Sequence, residues 1–246
     1  MMARWMWTRI VLASLLVILT WIGQLIAQEP VVPAGINARF KDPALNVSEW
    51  LGRFEVESRE IYQARQQILA ACRLRPGEEV ADVGAGTGFF SRLFADAVGD
   101  SGWVYSIDIA TPFLKHISNR ALEENVGNLT TVLCNDQSIG LPPQTVDCVF
   151  ICDTYHHFEN PFQTLASIAD ALRPGGRLIL IDFERIDGVS RQWTIDHVRA
   201  GKEVFRREVV DAGFEFAGEV NLDALNENYL LRFIKPTGDS MQASPK

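Results

Sequence analysis

Apolar residues along this chain follow two alternating rhythms: short unbroken runs, and longer stretches in which they return every three or four positions. Unbroken runs bounded by turn residues predict buried strands, and the three-to-four rhythm predicts amphipathic helices. Glu57–Cys72 places Ile61, Ala64, Ile68 and Cys72 on one helical face, and Pro76-Gly77 suits the middle of a type II turn. Val80–Val83 reads as a first strand. Phe90, Leu93, Phe94 and Ala97 follow at helical spacing up to Gly99, and Val104–Ile109 reads as a second strand. Thr111 is the expected cap of the next helix, with Pro112 in its first turn and Leu114, Ile117 and Ala121 facing inward. Thr130–Cys134 and Val146–Cys152 read as strands three and four. Asn160-Pro161 repeats the cap-then-proline device ahead of Phe162, Leu165, Ala166, Ala169 and Leu172. Arg173-Pro174-Gly175-Gly176 is the turn into a fifth strand, Leu178–Asp182. A helix is expected over Gly201–Ala212, and Phe214–Val220 with Tyr229–Ile234 is expected to form an antiparallel hairpin.

Strands alternating with helices imply right-handed crossovers, hence a mostly parallel α/β sheet covered by helices on both faces. In such sheets a ligand sits beyond the carboxyl ends of the strands, at the topological switch. Chemistry is therefore expected just after residues 83, 108, 134, 152 and 182.

The first residues break this rhythm. Arg4 and Arg9 precede Ile10–Ile22, in which only Ser14 and Thr20 are polar, and Gly23–Ala27 leads into Gln28-Glu29-Pro30. This is the pattern of a secretory signal with cleavage after Ala27, or, with residues 10–27 retained, of an N-terminal membrane anchor. Either way the body is expected outside the cytoplasm. Residues 28–46 read as a linker, 47–235 as the folded domain and 236–246 as a disordered tail. The 246 residues carry a net charge of −8, and the two early arginines leave the remainder at −10. An acidic body disfavours nucleic acid as a partner.

Asp82-Val83-Gly84-Ala85-Gly86-Thr87-Gly88-Phe89 follows the first strand. Glycines let a ligand approach bare backbone at the start of a helix, where free N–H groups point outward. A dinucleotide fingerprint would place its third glycine at 89, where this chain has Phe89. Taken alone, the loop is a weak signal that leaves an ordinary tight turn open. Asp108 ends the second strand, where a carboxylate can accept from both hydroxyls of a ribose, and Asp136 ends the third, where it can accept from an amino group or cap a helix.

Five ordered blocks, VADVGAGTGFFS (80–91), VYSIDI (104–109), CNDQSIGLP (134–142), DCVFICDTYHHF (147–158) and LRPGGRLILIDF (172–183), resemble the class I S-adenosylmethionine-dependent methyltransferases. The resemblance covers roughly residues 57–235. It implies a Rossmann-like seven-stranded sheet with an antiparallel last strand and S-adenosylmethionine as cofactor. It also implies that Asp82, Gly84, Ala85, Gly86 and Gly88 hold the methionine part, Asp108 and Ile109 the ribose, and Asp136 with Gln137 the adenine. The acceptor implied is a small or lipid-like molecule.

The block after the fourth strand would then face the transferring methyl. His157 or His156 is the expected proton acceptor, one of the two facing the site, and Asp153 is expected to orient the donor or the acceptor. Adjacent histidines do not share a helical face, so no metal site is expected there. Cys134, Cys148 and Cys152 are read as small buried hydrophobes. The long loop 183–199, with Trp193, His197 and Arg199, is a candidate cover for the substrate, and Glu57, Glu60 and Tyr62 are weaker candidates for the cavity wall. Two other functions remain open at this point: a nicotinamide-dependent oxidoreductase, and a non-catalytic module that binds S-adenosylmethionine.

Overall fold

In the computed structural model, residues 32–57 and 59–237 are described. The signal or anchor segment and nearly all of the expected tail lie outside them. Among the described residues no helix is long and apolar enough to cross a membrane.

Seven strands form one sheet: β1 (Glu79–Val83), β2 (Trp103–Asp108), β3 (Leu129–Leu133), β4 (Val146–Cys152), β5 (Leu172–Phe183), β6 (Glu215–Glu219) and β7 (Asn228–Ile234). Their order is β3-β2-β1-β4-β5-β7-β6. β1 pairs in parallel with both β2 and β4, while β7 runs antiparallel to β5 and β6. The chain leaves β1 toward one edge and later returns to its other side, so the switch point lies between β1 and β4.

Alternation along each strand divides the core in two. Ala81, Val83, Val149 and Leu180 pack on one face beneath Leu165, Ile168, Phe205 and Val209. Val80, Phe150, Ile179 and Leu230 pack on the other beneath Ile61, Ile68, Phe90 and Phe94. With both faces covered, the central strands read as continuous apolar runs.

Three expectations need adjusting. The helix expected over 57–72 is two pieces, α2 (Glu60–Gln63) and α3 (Arg65–Cys72), preceded by an unexpected α1 (Val47–Phe54), whose Val47, Trp50, Leu51 and Phe54 recur at helical spacing behind the Asn46 cap. Leu172 already pairs with Val146, and Arg173–Gly176 then loops out before Arg177 resumes beside Cys148, so β5 starts before the turn that was expected to release it. Residues 32–46 are not a free spacer: they form turns, and Asn37 is buried against the strand ends. The remaining named elements are α4 (Phe89–Val98), α5 (Thr111–Glu123), α6 (Pro161–Ala171), α7 (Gln192–His197) and α8 (Lys202–Asp211).

Candidate active site

The carboxyl ends of β1, β2 and β4 open into a cavity of about 780 Å³, its mouth included. Gly84 turns the chain off β1 with φ +75°, and its N–H and that of Ala85 donate to the Ile107 carbonyl at 2.8 and 3.0 Å. A Cβ on Gly84 would lie 2.3 Å from Thr154 Cγ2, and one on Gly86 would lie 3.2 Å from the Phe54 ring. The loop thus offers backbone to the cavity because neighbouring side chains occupy the space that a Cβ would take.

Asp108 ties this loop to β2. Its Oδ2 accepts the Gly86 N–H and its Oδ1 the Ala110 N–H, each at 2.8 Å. Burial pushes its carboxyl up to about 6, against the pull of those N–H groups. Each oxygen keeps a further lone pair for a ligand hydroxyl. Asp108, Ile109 and Asp136 all line the cavity, and Asp136 accepts from Asn160 Nδ2 at 3.0 Å. Gln137 is exposed and does not line it, whereas Ile139 does. Asp82, Ala85 and Gly88 support the loop from behind. Asp82 accepts from Ser91 Oγ at 2.6 Å, and burial raises its carboxyl to about 7.

The opposite wall comes from Asp153, Thr154 and His157. Both Asp153 oxygens are engaged, one by the Arg59 guanidinium and the other by Asn228 Nδ2 at 2.6 Å. Burial raises this carboxyl while Arg59 opposes the shift. The two adjacent histidines differ in burial and in support, with their ring centroids 4.4 Å apart. His156 is buried, with its N–H on Asp182 Oδ2 at 3.0 Å and its Nδ1 2.7 Å from Asp182 Oδ1. His157 is the one that lines the cavity. Its Nδ1 lies 3.1 Å from Asn37 Oδ1. Burial, followed by the neighbouring His156 and His197, lowers its pKa to about 2, so the ring is neutral and a weak base.

Of the other candidates, Glu60 accepts the backbone N–H groups of Asn226 and Glu227, and Tyr62 stacks on Phe89 at 5.0 Å; neither lines the cavity, nor does Glu57. Arg199 is held by Glu208, so it braces the core. Trp193 stacks on His197 at 4.6 Å. The wall also includes residues that the sequence did not single out: Asn37 and Phe40, and Phe54 from the end of α1. Asn37 and Phe40 lie in turns, where periodicity carries no signal, whereas Phe54 continues the helical spacing of Val47, Trp50 and Leu51.

Residues 81–180 match the family model described as a methyltransferase domain. A ubiquinone/menaquinone biosynthesis C-methyltransferase from Teredinibacter turnerae is 32% identical over 113 residues, 46% of this chain and 45% of that one. The same enzyme from Pasteurella multocida is 28% identical over 181 residues, 61% of this chain and 67% of that one. The matched stretch is thus about half the length of the first of these relatives. Residues 81–180 are therefore a methyltransferase domain of the class I S-adenosylmethionine-dependent type. A solved S-adenosylmethionine-dependent methyltransferase from Aquifex aeolicus superposes with a TM-score of 0.67 at 22% identity, covering 77% of this chain and 98% of that one. The [4+2]-cyclase SpnF superposes at 0.70 with 15% identity over 85% and 98%. Both show the same fold. The cofactor of the methyltransferase domain is S-adenosylmethionine, and the residues present fit it: Gly84 and Gly86 present bare backbone to a chain-like end, and acidic Asp108 and Asp136 beside apolar Ile109 and Ile139 suit a cationic nucleoside.

Proposed function

We propose that this methyltransferase transfers the cofactor's methyl to a small, largely apolar acceptor that is nucleophilic without help from a strong base. One observation carries the reading: Gly84, Gly86, Asp108 and Asp136 line a single cavity whose remaining wall includes Phe40, Phe54 and Phe113. In this proposal Asp108 with Ile109 takes the ribose, Asp136 the adenine amino group, and the loop from Asp82 to Gly88 the methionine end. The sulfonium supplies an activated methyl, so the chain's task is to hold the acceptor at about 3–3.5 Å in line and to exclude water.

Two features restrict the acceptor. Both Asp153 oxygens are occupied, and the His157 ring is too weakly basic to remove a tightly held proton. An electron-rich ring carbon, or a group that ionises on its own, meets that condition. Support comes also from relatives named for C-methylation in quinone biosynthesis. In this reading His157 and Asp153 position the acceptor and its surroundings rather than act as bases, and His156 positions His157 from behind.

The test is titration calorimetry with S-adenosylmethionine, S-adenosylhomocysteine and NAD, followed by transfer of labelled methyl to a panel of phenolic and quinol acceptors. Binding of the first two alone, weakened at least tenfold by Asp108→Ala, is expected. Absence of binding would overturn the proposal, and binding without turnover on any acceptor would return the protein to the non-catalytic reading.

A further inference from the structure

We propose that His156, His157 and His197 form a binding site for one divalent transition-metal ion of the zinc class. Among the described residues they are the one group of three ligand-bearing side chains whose donor atoms lie within 4.8 Å of one another. His157 Nε2 and His197 Nε2 are 3.3 Å apart. Two imidazole nitrogens bound to the same tetrahedral zinc at about 2.0–2.1 Å are separated by about 3.3–3.4 Å, so this pair already has the spacing of a chelate.

The other ring nitrogens of His157 and His156 are held as a metal site requires. The Asn37 amide nitrogen donates to the His157 carbonyl at 2.9 Å and to Glu159 Oε1 at 2.8 Å, which fixes its oxygen as the acceptor facing His157 Nδ1. His157 Nδ1 therefore carries the hydrogen, and Nε2 presents a lone pair. Asp182 does the same for His156, at 2.7 Å from Nδ1. An acceptor behind two of the three imidazoles, a carboxylate behind one of them, is the outer arrangement that orients histidine toward metals.

A hydrogen shared between His157 and His197 would account for that one contact, but not for a third imidazole turned to the same point. The widest pair must close by up to about 1.5 Å on loading. His197, half-buried at the end of the six-residue α7, is the ligand able to move. Three neutral nitrogen donors select zinc, cobalt, nickel or copper over magnesium or calcium, which prefer oxygen. They also leave at least one coordination position open, and His157 joins the ion to the cavity wall.

The experiment uses the untagged full chain, stripped with chelator, then titrated with Zn²⁺ against a chromophoric competitor and with Co²⁺ by visible absorption. One equivalent of each is expected, with the Co²⁺ spectrum of a low-coordinate imidazole site. His197→Ala should weaken Zn²⁺ binding by roughly 100-fold while keeping a cooperative thermal transition, and Asp182→Asn should weaken it by roughly 10-fold. No stoichiometric uptake, or uptake unchanged in folded His197→Ala, would overturn the site; the second result would assign the ion to other histidines such as His116. These readouts do not depend on methyl transfer.

Discussion

The Asn37 side chain brackets His157: its oxygen lies 3.1 Å from the ring Nδ1, and its nitrogen donates to the same residue's carbonyl at 2.9 Å. A residue 120 positions upstream thus sets the tautomer of the histidine in the cavity wall. Asn37→Ala strands a buried acceptor and a buried ring donor, each costing about 1–3 kcal/mol. The expected outcome is a melting temperature lowered by several degrees and a changed ring tautomer for His157. Nitrogen-15 spectra of labelled histidine check it; an unchanged His157 signal would show that the ring is oriented by other contacts.

Asp108 should make cofactor binding sensitive to acid. Its carboxyl titrates at about 6, and only the charged form offers acceptors on both oxygens to ribose hydroxyls. S-adenosylhomocysteine affinity should hold above pH 7 and fall as pH drops through 6, by up to about tenfold per pH unit once the acid form predominates. Asp108→Asn should bind weakly and show a flat profile over pH 5–8. Calorimetry across that range decides it, and a wild-type profile as flat as the variant's would remove Asp108 from the ribose contact.

Asp82 carries the opposite kind of linkage, one of stability. Its carboxyl is raised to about 7, chiefly by burial, so the folded state holds this proton more tightly than the unfolded chain. This contribution is most favourable below the ordinary carboxyl range and is lost as pH rises through 7. Asp82→Asn keeps an oxygen for the Ser91 hydroxyl and removes the buried charge. The variant should melt higher than wild type at pH 8, by at most about 4 kcal/mol of stability, and the gap should close toward pH 4. A gap independent of pH would place the effect in packing.

The sheet was legible because burial on both faces writes each strand as an apolar run, and the glycine loop and Asp108 follow from the turn at each strand's end. Asp136 could be placed the same way, whereas Gln137, one residue further along and predicted with it, is exposed and does not line the cavity. The cover over the cavity was only partly legible: Val47, Trp50, Leu51 and Phe54 recur at helical spacing behind Asn46, a signal left unused, whereas Phe40 lies in a turn that has none. Phe40, Trp50 and Phe54 form an aromatic row, at 4.9 and 5.1 Å, from a turn and a short helix with no buried residue of its own. The histidine trio was half legible: 156 and 157 stood out, but their adjacency argued against shared work. The 3₁₀ turn at Tyr155–His157 sends the two rings to different supports, and the third imidazole arrives from a helix forty residues away.

Gly84 and Thr154 offer a test of the loop itself. With φ +75° at residue 84, any side chain costs about 1–2 kcal/mol in backbone strain alone. An alanine Cβ there would also meet Thr154 at 2.3 Å from Cγ2, 2.4 Å from Oγ1 and 2.8 Å from Cβ. Overlap of that depth forces β1 and β4 apart at the switch point, adding about 1–3 kcal/mol. Gly84→Ala should therefore fold poorly or lose S-adenosylhomocysteine binding. Truncation at 154 only to alanine leaves the 2.8 Å clash, so Thr154→Ala should rescue little, whereas Thr154→Gly removes all three contacts and leaves only the strain. The double variant Gly84→Ala/Thr154→Gly should recover part of the lost stability relative to Gly84→Ala, even though Thr154→Gly alone destabilises. A double-mutant cycle by thermal unfolding measures this coupling, and strict additivity would show that the two residues do not compete for the same space.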